Sequence, residues 1–218
     1  TAGRVGIPGG EGVRYSPISP LTSATIPSKG AKSLVRSRVA LAASIRAAAK
    51  LLLLTMVRKS ELTDATWDEV NFTDATWTIS KARMKRRNPH IVYLSNQVMD
   101  IFVALKTFSG GSRYVLPSRY NPDKPMSKAT LNQVLTLTYT MAQKEGMELE
   151  KFGPHDLRRT ASTLLHEAGY NTDWIEKCLA HEQQGMRAVY NKAEYAEQRR
   201  AMLQDWSDMV DGWTSRRA

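Results

Sequence analysis

Cysteine is almost missing from this sequence. Cys178 is the one thiol among 218 residues, which excludes an internal disulfide framework and any paired-thiol metal knuckle. It lies in Trp174-Ile175-Glu176-Lys177-Cys178-Leu179, a run that reads as an amphipathic helix, so a small buried hydrophobe is its expected role. Long apolar runs are also missing. The longest, Leu51 to Leu54 with the alanines before it, is interrupted by Arg46 and Lys50 and is far too short to span a membrane. The N-terminus has no apolar signal-peptide core, and a reducing compartment, the bacterial cytoplasm, is the expectation. Acidic residues are the minority charge: 21 Asp+Glu face 31 Lys+Arg, a net charge of +10. That excess favours a polyanionic partner, nucleic acid being the simplest. Histidines number only four. His155 and His166 fall in one predicted helix, His90 is far away, and no Cys, Asp or Glu completes a ligand spacing, so no metal is expected.

What is present divides the chain in two. Residues 1–36 are expected to form a flexible arm or linker, because the first 30 are rich in Gly, Pro and Ser and show no sustained periodicity. Gly6 to Gly12 does not make a phosphate loop, since no Lys-Ser/Thr closes it and no strand precedes it. Residues 37–218 are long enough for one sizeable domain, and 42% hydrophobic content can fill its core.

Ser37 to Met56 is Ala/Leu-rich and apolar on several faces, which suits a buried helix. The period then changes. Trp67 to Phe72, Trp77 to Ser80 and His90 to Leu94 are short, β-branched and aromatic, and predict three strands. The pentamer Thr-Asp-Ala-Thr-Trp occurs at 63–67 and again at 73–77; two similar strand entries of a hairpin account for it. Between the second and third strands lies a basic loop, Lys81 to Pro89. After Ser95 the pattern is helical throughout. Ser127 reads as the N-cap of a helix with Leu131, Val134, Leu135 and Met141 on its apolar face. Gly153-Pro154 precedes a helix with Leu157, Ala161, Leu164, Leu165 and Ala168, closed by Gly169. A last helix carries Tyr195, Met202, Leu203, Trp206, Met209 and Val210. The expected fold class is mainly α with a small three-stranded antiparallel sheet.

Chemistry gathers at a few positions. His155 and Arg158, three apart at a helix start, are expected to share a face distinct from the leucines. A helix N-terminus favours anions, and an imidazole and a guanidinium added there would form a phosphate site. Arg58 follows the first helix with Glu61 three residues on, an acid able to hold it. Lys85 sits in the basic loop, and Leu179-Ala180-His181 is followed nine residues later by Tyr190.

The ordered set Arg58, Lys85, His155-x-x-Arg158, His181, Tyr190 resembles the catalytic domain of the tyrosine recombinases. The wording is most similar to integrases of satellite phages and genomic islands, through Arg83-Met84-Lys85, His90-Ile91-Val92, Leu179-Ala180-His181 and Tyr190-Asn191-Lys192-Ala193-Glu194-Tyr195. The resemblance runs from about Ser37 to Asp211. Gly185-Met186 and Asp156-Leu157 depart from the usual pattern, though not at the catalytic positions. The resemblance implies that Arg58 and Arg158 clamp a scissile phosphate, with Glu61 supporting Arg58. It further implies that His155 and His181 fill the two histidine positions, Lys85 is the loop lysine and Tyr190 the nucleophile. Tyr195 is the competing tyrosine, which packing explains. Lys81, Arg83, Arg86, Arg87 and Arg159 are expected to contact DNA; His90 and His166 are expected to be structural or close to DNA. The implied activity is cleavage and rejoining of double-stranded DNA through a 3′-phosphotyrosyl link, integrating or excising a mobile element. Neither cofactor nor metal is implied. A homotetramer on paired sites, a monomer without DNA, an excision factor as further partner and a nucleoid location are expected. So are N-terminal DNA-binding domains beyond this chain. The rival readings are a Xer-type resolvase, a type IB topoisomerase, or a DNA-binding module without catalysis. The last helix, Glu194 to Val210, is left with two packings, on a neighbouring subunit or on its own core.

Overall fold

The computed structural model describes residues 43–84, 88–181 and 193–215. The boundary expected at residue 36 lies outside them. Helix α1 covers 43–55 of the Ala/Leu-rich stretch, and Ala48, Leu51, Leu52 and Leu54 are all but inaccessible. The Thr55 hydroxyl donates back to the Leu51 carbonyl at 2.6 Å where the helix ends. Helix α2, Lys59–Thr63, leads into a 3₁₀ turn, Trp67–Glu69, and then into β1, Val70–Asn71; β2, Thr76–Ile79; and β3, His90–Tyr93. The three strands form one antiparallel sheet in the order β1-β2-β3, with Trp77 opposite Val92 and Ile79 opposite His90. Alternation puts Trp77 and Ile79 inside and Thr78 outside. Among the described residues five helices follow: α3, Asn96–Phe108; α4, Lys128–Lys144; α5, Pro154–Glu167; α6, Thr172–Cys178; and α7, Ala196–Ser215. The predicted class, mainly helical with a small antiparallel sheet, is the observed one.

The first strand is shorter than predicted. Glu69 turns its carboxylate back to the Thr66 N–H at 3.3 Å, and this local bond curls Trp67–Glu69 into a 3₁₀ turn, leaving two residues to pair. The repeated pentamer therefore adopts two conformations. At 63–67 it leaves α2 for the turn; at 73–77 it enters β2. Sequence identity is preserved only in what the tryptophans do: Trp67 and Trp77 both meet the Phe102 ring edge-on, with centroids 6.2 and 6.0 Å away.

Helicity after Ser95 is also interrupted. Residues 109–127 are irregular, tied to the turn by a Thr66–Tyr114 bridge. Ser127 does cap α4, accepting from the Ala129 N–H at 3.3 Å, but Met141 is 54% exposed and lies off the buried stripe of Leu131, Leu135 and Ala142.

The two packings left open for the last helix are resolved. Met202, Leu203, Trp206 and Val210 of α7 are buried in the chain's own core. The Trp206 indole donates to the Leu53 carbonyl of α1 at 3.0 Å, and Lys50 pairs with Asp211 at 2.7 Å. Cys178 is buried as predicted. Among the described residues no helix is long and apolar enough to cross a membrane.

Candidate active site

Helix α5 sets the site. Pro154 opens it, where a missing N–H costs nothing, and the Asp156 carboxylate accepts from the Gly153 N–H at 2.9 Å. Arg158, Ala161 and Leu165 follow at i, i+3 and i+7, and all three are buried. This differs from the sequence expectation. Arg158 is buried against the core, whereas His155 is exposed, so burial divides the pair that was expected to lie together at the surface.

A buried guanidinium must be fully engaged. That of Arg158 donates through Nη1 to the Met56 carbonyl and through Nη2 to the Leu179 carbonyl, with Nη2 also 3.3 Å from His181 Nε2. Those partners are two carbonyls and a ring nitrogen, with no carboxylate among them. Burial first, then the nearby charge of Arg58, lowers its pKa to about 10, against the opposing pull of Glu61 and Glu176. It remains a cation at neutral pH. The carbonyls it holds belong to unusual backbone. Met56 has φ 55°, and Ala180, directly after Leu179, has φ 48°. Left-handed residues other than glycine cost about 1 kcal/mol or more and persist where the surroundings hold them; Arg158 ties both turns together.

Arg58 is two residues beyond the Met56 carbonyl. Its backbone N–H and Nη1 both donate to the Glu61 carboxylate, each at 2.7 Å. Glu61 is 4% exposed and the Arg58 side chain 36%, so a buried acid aims a guanidinium that stays open to solvent. His181, also exposed, is held on its other nitrogen: Nδ1 lies 2.7 Å from Glu176 Oε2. Because Arg158 can only donate, Nε2 is the accepting nitrogen and Nδ1 carries the proton given to Glu176. Arg58, Glu61, Arg158 and His181 are thus brought together from α2, α5 and the turn after α6.

The remaining predicted positions fall elsewhere or outside. Lys81 is exposed in the β2–β3 loop. Arg159 is exposed with a loose ion pair to Asp156 at 3.4 Å, open to solvent. Arg83 points inward, paired with Glu69 and donating to the Glu61 carbonyl. Lys85, Arg86, Arg87 and Tyr190 lie outside the described residues. His166 is engaged locally within α5, its Nδ1 donating to the Ser162 carbonyl at 2.7 Å. His90 is buried on β3, where burial and then the charges of Arg199, Arg158 and Arg58 push its pKa down to about 3, opposed by a hydrogen bond with the Cys178 backbone.

Two residues of this neighbourhood escaped the sequence reading. Glu176 orients His181, and its five-residue offset across a helix end follows no helical pairing rule. Arg199 is 2% exposed, donates to the Ile91 and Glu194 carbonyls at 2.6 and 3.2 Å, and lies over the Tyr93 ring at 4.9 Å. Its signal was available: positions 195, 199, 202, 203 and 206 form one helical stripe, and Arg199 sits within it.

Residues 27–197 match the model of the "Phage integrase family". The chain is 42% identical over 168 residues to the prophage integrase IntZ of Escherichia coli K12, covering 77% of this chain and 40% of that protein. It is 36% identical over 181 residues to the integrase of Enterobacteria phage P4, covering 76% of this chain and 40% of the phage protein. The chain therefore spans well under half the length of these relatives. Among solved structures, the Tn1549 transposon integrase in complex with a circular intermediate DNA superposes with a TM-score of 0.55 at 16% identity, over 86% of this chain and 68% of that one.

Proposed function

The chain belongs to the phage integrase family, and on that premise we propose that it is the catalytic domain of a site-specific tyrosine recombinase that integrates or excises a mobile element. The observation that carries this reading is Arg158: a buried cation fixed by carbonyls, beside a second arginine aimed by a buried acid. Two guanidinium groups so held suit the two non-bridging oxygens of a phosphodiester and the charge that grows on them during displacement.

In the proposed reaction the Tyr190 hydroxyl oxygen attacks phosphorus, and the bond from phosphorus to the 5′-oxygen breaks. A phenol of ordinary pKa near 10 must lose its proton as it attacks. His155, exposed on the first turn of α5, takes it. Lys85 gives a proton to the departing 5′-oxygen, and His181 assists there by hydrogen bonding once a proton on Nε2 replaces the bond it accepts from Arg158. The products are a 3′-phosphotyrosyl link and a free 5′-hydroxyl. One phosphoester has replaced another, so attack by a second 5′-hydroxyl reverses the step without ATP. Exchange between two duplexes breaks four strands, which calls for four protomers; we assign a DNA-bound homotetramer, a monomeric DNA-free state and an excision factor to the full protein. Lys81, Arg86, Arg87 and Arg159 are assigned to DNA contacts. The Tn1549 integrase complex supports DNA as the partner, and the net charge of +10 agrees with it.

The test is a nicked duplex carrying the junction sequence of the parent element, incubated with this chain and run on a denaturing gel. A covalent adduct that survives Tyr195→Phe and vanishes in Tyr190→Phe, with duplex affinity unchanged, is the expected result. Adduct that persists without Tyr190 defeats the assignment, and a parent chain that forms none favours a binding module.

A further inference from the structure

Arg83 stands two positions before Lys85, in a stretch so basic that one more DNA contact is the natural reading of the sequence. Its surroundings point elsewhere. The side chain is 22% exposed, and Nη1 pairs with Glu69 Oε2. That same oxygen accepts from the Trp77 indole at 3.1 Å and the Thr66 N–H at 3.3 Å, so the acid is fixed by the sheet and by the 3₁₀ turn. Arg83 Nη2 donates to the Glu61 carbonyl at 2.5 Å.

That carbonyl matters because of where it lies. Helix α2 has 5 residues, too few to be stable by itself, and the last carbonyls of any helix lack intrahelical donors. The Ala65 N–H, which a continuing helix would give to Glu61, goes instead to the Leu62 carbonyl at 3.2 Å. Arg83 supplies the replacement from outside the helix. Glu61 in turn holds the Arg58 backbone and guanidinium. The contacts form an unbroken chain from Glu69 through Arg83 and Glu61 to Arg58.

We propose that Arg83 is a positioning residue for Arg58 and not a DNA contact. This rests on the reading of Arg58 as a phosphate-binding arginine. Arg83 binds the β2–β3 loop to the helix that aims Arg58, so the loop and the phosphate site are set by one side chain.

The adduct rate at saturating nicked duplex, and the affinity for an uncleavable duplex, are measured for the parent, Arg83→Ala, Arg58→Ala and the double variant. Arg83→Ala is expected to slow adduct formation about 10-fold or more with affinity held within about twofold, and to add less than about twofold when Arg58 is already alanine. Losses that multiply in the double variant mean that Arg83 merely stabilises the fold. Affinity that falls in step with the rate means it touches DNA, and an unchanged rate removes any role; each overturns the proposal. Should Arg83→Ala not fold, Arg83→Lys, which keeps the charge and loses one arm of the fork, is read by the same criteria. If Arg58→Ala cleaves at the parent rate, the reading of the site fails. If Arg58→Ala is slow and Arg83→Ala is not, only the present inference fails.

Discussion

His90 makes the scaffold of the site sensitive to acid, and the size of the effect can be worked out. In the unfolded chain its imidazole titrates near the ordinary value of 6.5; in the native chain burial and three arginines hold it down to about 3. Between those limits the unfolded state takes up a proton that the native state refuses. Stability is therefore full above pH 6.5 and falls as the pH drops towards 3. Each decade is worth 1.36 kcal/mol, so moving from the plateau to pH 5 removes about 2 kcal/mol through this one group. His90→Gln retains a donor for the neighbouring backbone and abolishes the titration. Urea denaturation at pH 7.5 and pH 5 measures it: the parent should lose about 2 kcal/mol more than His90→Gln across that interval. Equal losses in both proteins would refute the account of His90 as a buried neutral imidazole facing Arg58, Arg158 and Arg199.

Further outcomes are expected. Arg158→Lys keeps the charge but cannot hold the Met56 and Leu179 carbonyls together; adduct formation should fall by roughly 10²-fold or more, measured on the nicked duplex with binding followed separately. Trp206→Ala empties a fully buried site on α7 and should cost about 3–5 kcal/mol in urea denaturation, while truncation after Asn191 should give insoluble protein, a soluble folded monomer being the contrary result. Lys85→Ala should cripple cleavage of ordinary DNA yet recover most of its rate when sulfur replaces the 5′-oxygen, since that leaving group departs without a proton; His155→Ala should not recover, and rescue of Lys81, Arg86 or Arg87 variants instead would move the acid.

Local signals made much of this protein legible in its sequence. Ser127 announced α4 and Gly169 the end of α5, because caps act within one turn of chain. The positions at 58, 61, 158 and 181 could be picked out only through the resemblance to the tyrosine recombinases, since each alone is an ordinary charged or polar side chain. What could not be read was direction. Arg158 shows up in sequence as a cation at a helix start, and only the packing of α5 against the Met56 and Leu179 turns reveals that it faces inward. Arg83 looked like its basic neighbours until Glu69, 14 residues away, drew it into the fold. The Trp67 segment failed as a strand because one carboxylate bond outweighed β propensity over three residues, a context dependence that strand preferences share. The pairing of His181 with Glu176 crosses a helix end at φ 48° in Ala180, which no periodicity foretells.

The central claim is that a tyrosine of this chain becomes covalently joined to DNA, and that the tyrosine is Tyr190. Trypsin separates the two rivals: cleavage after Arg187, Lys192 and Arg199 places Tyr190 in the peptide 188–192 and Tyr195 in the peptide 193–199. Adduct from the nicked duplex, digested with nuclease and trypsin and mapped by mass spectrometry, should carry its nucleotide remnant on 188–192 at Tyr190. A remnant on 193–199, or adduct formation with no modified tyrosine, would contradict the account.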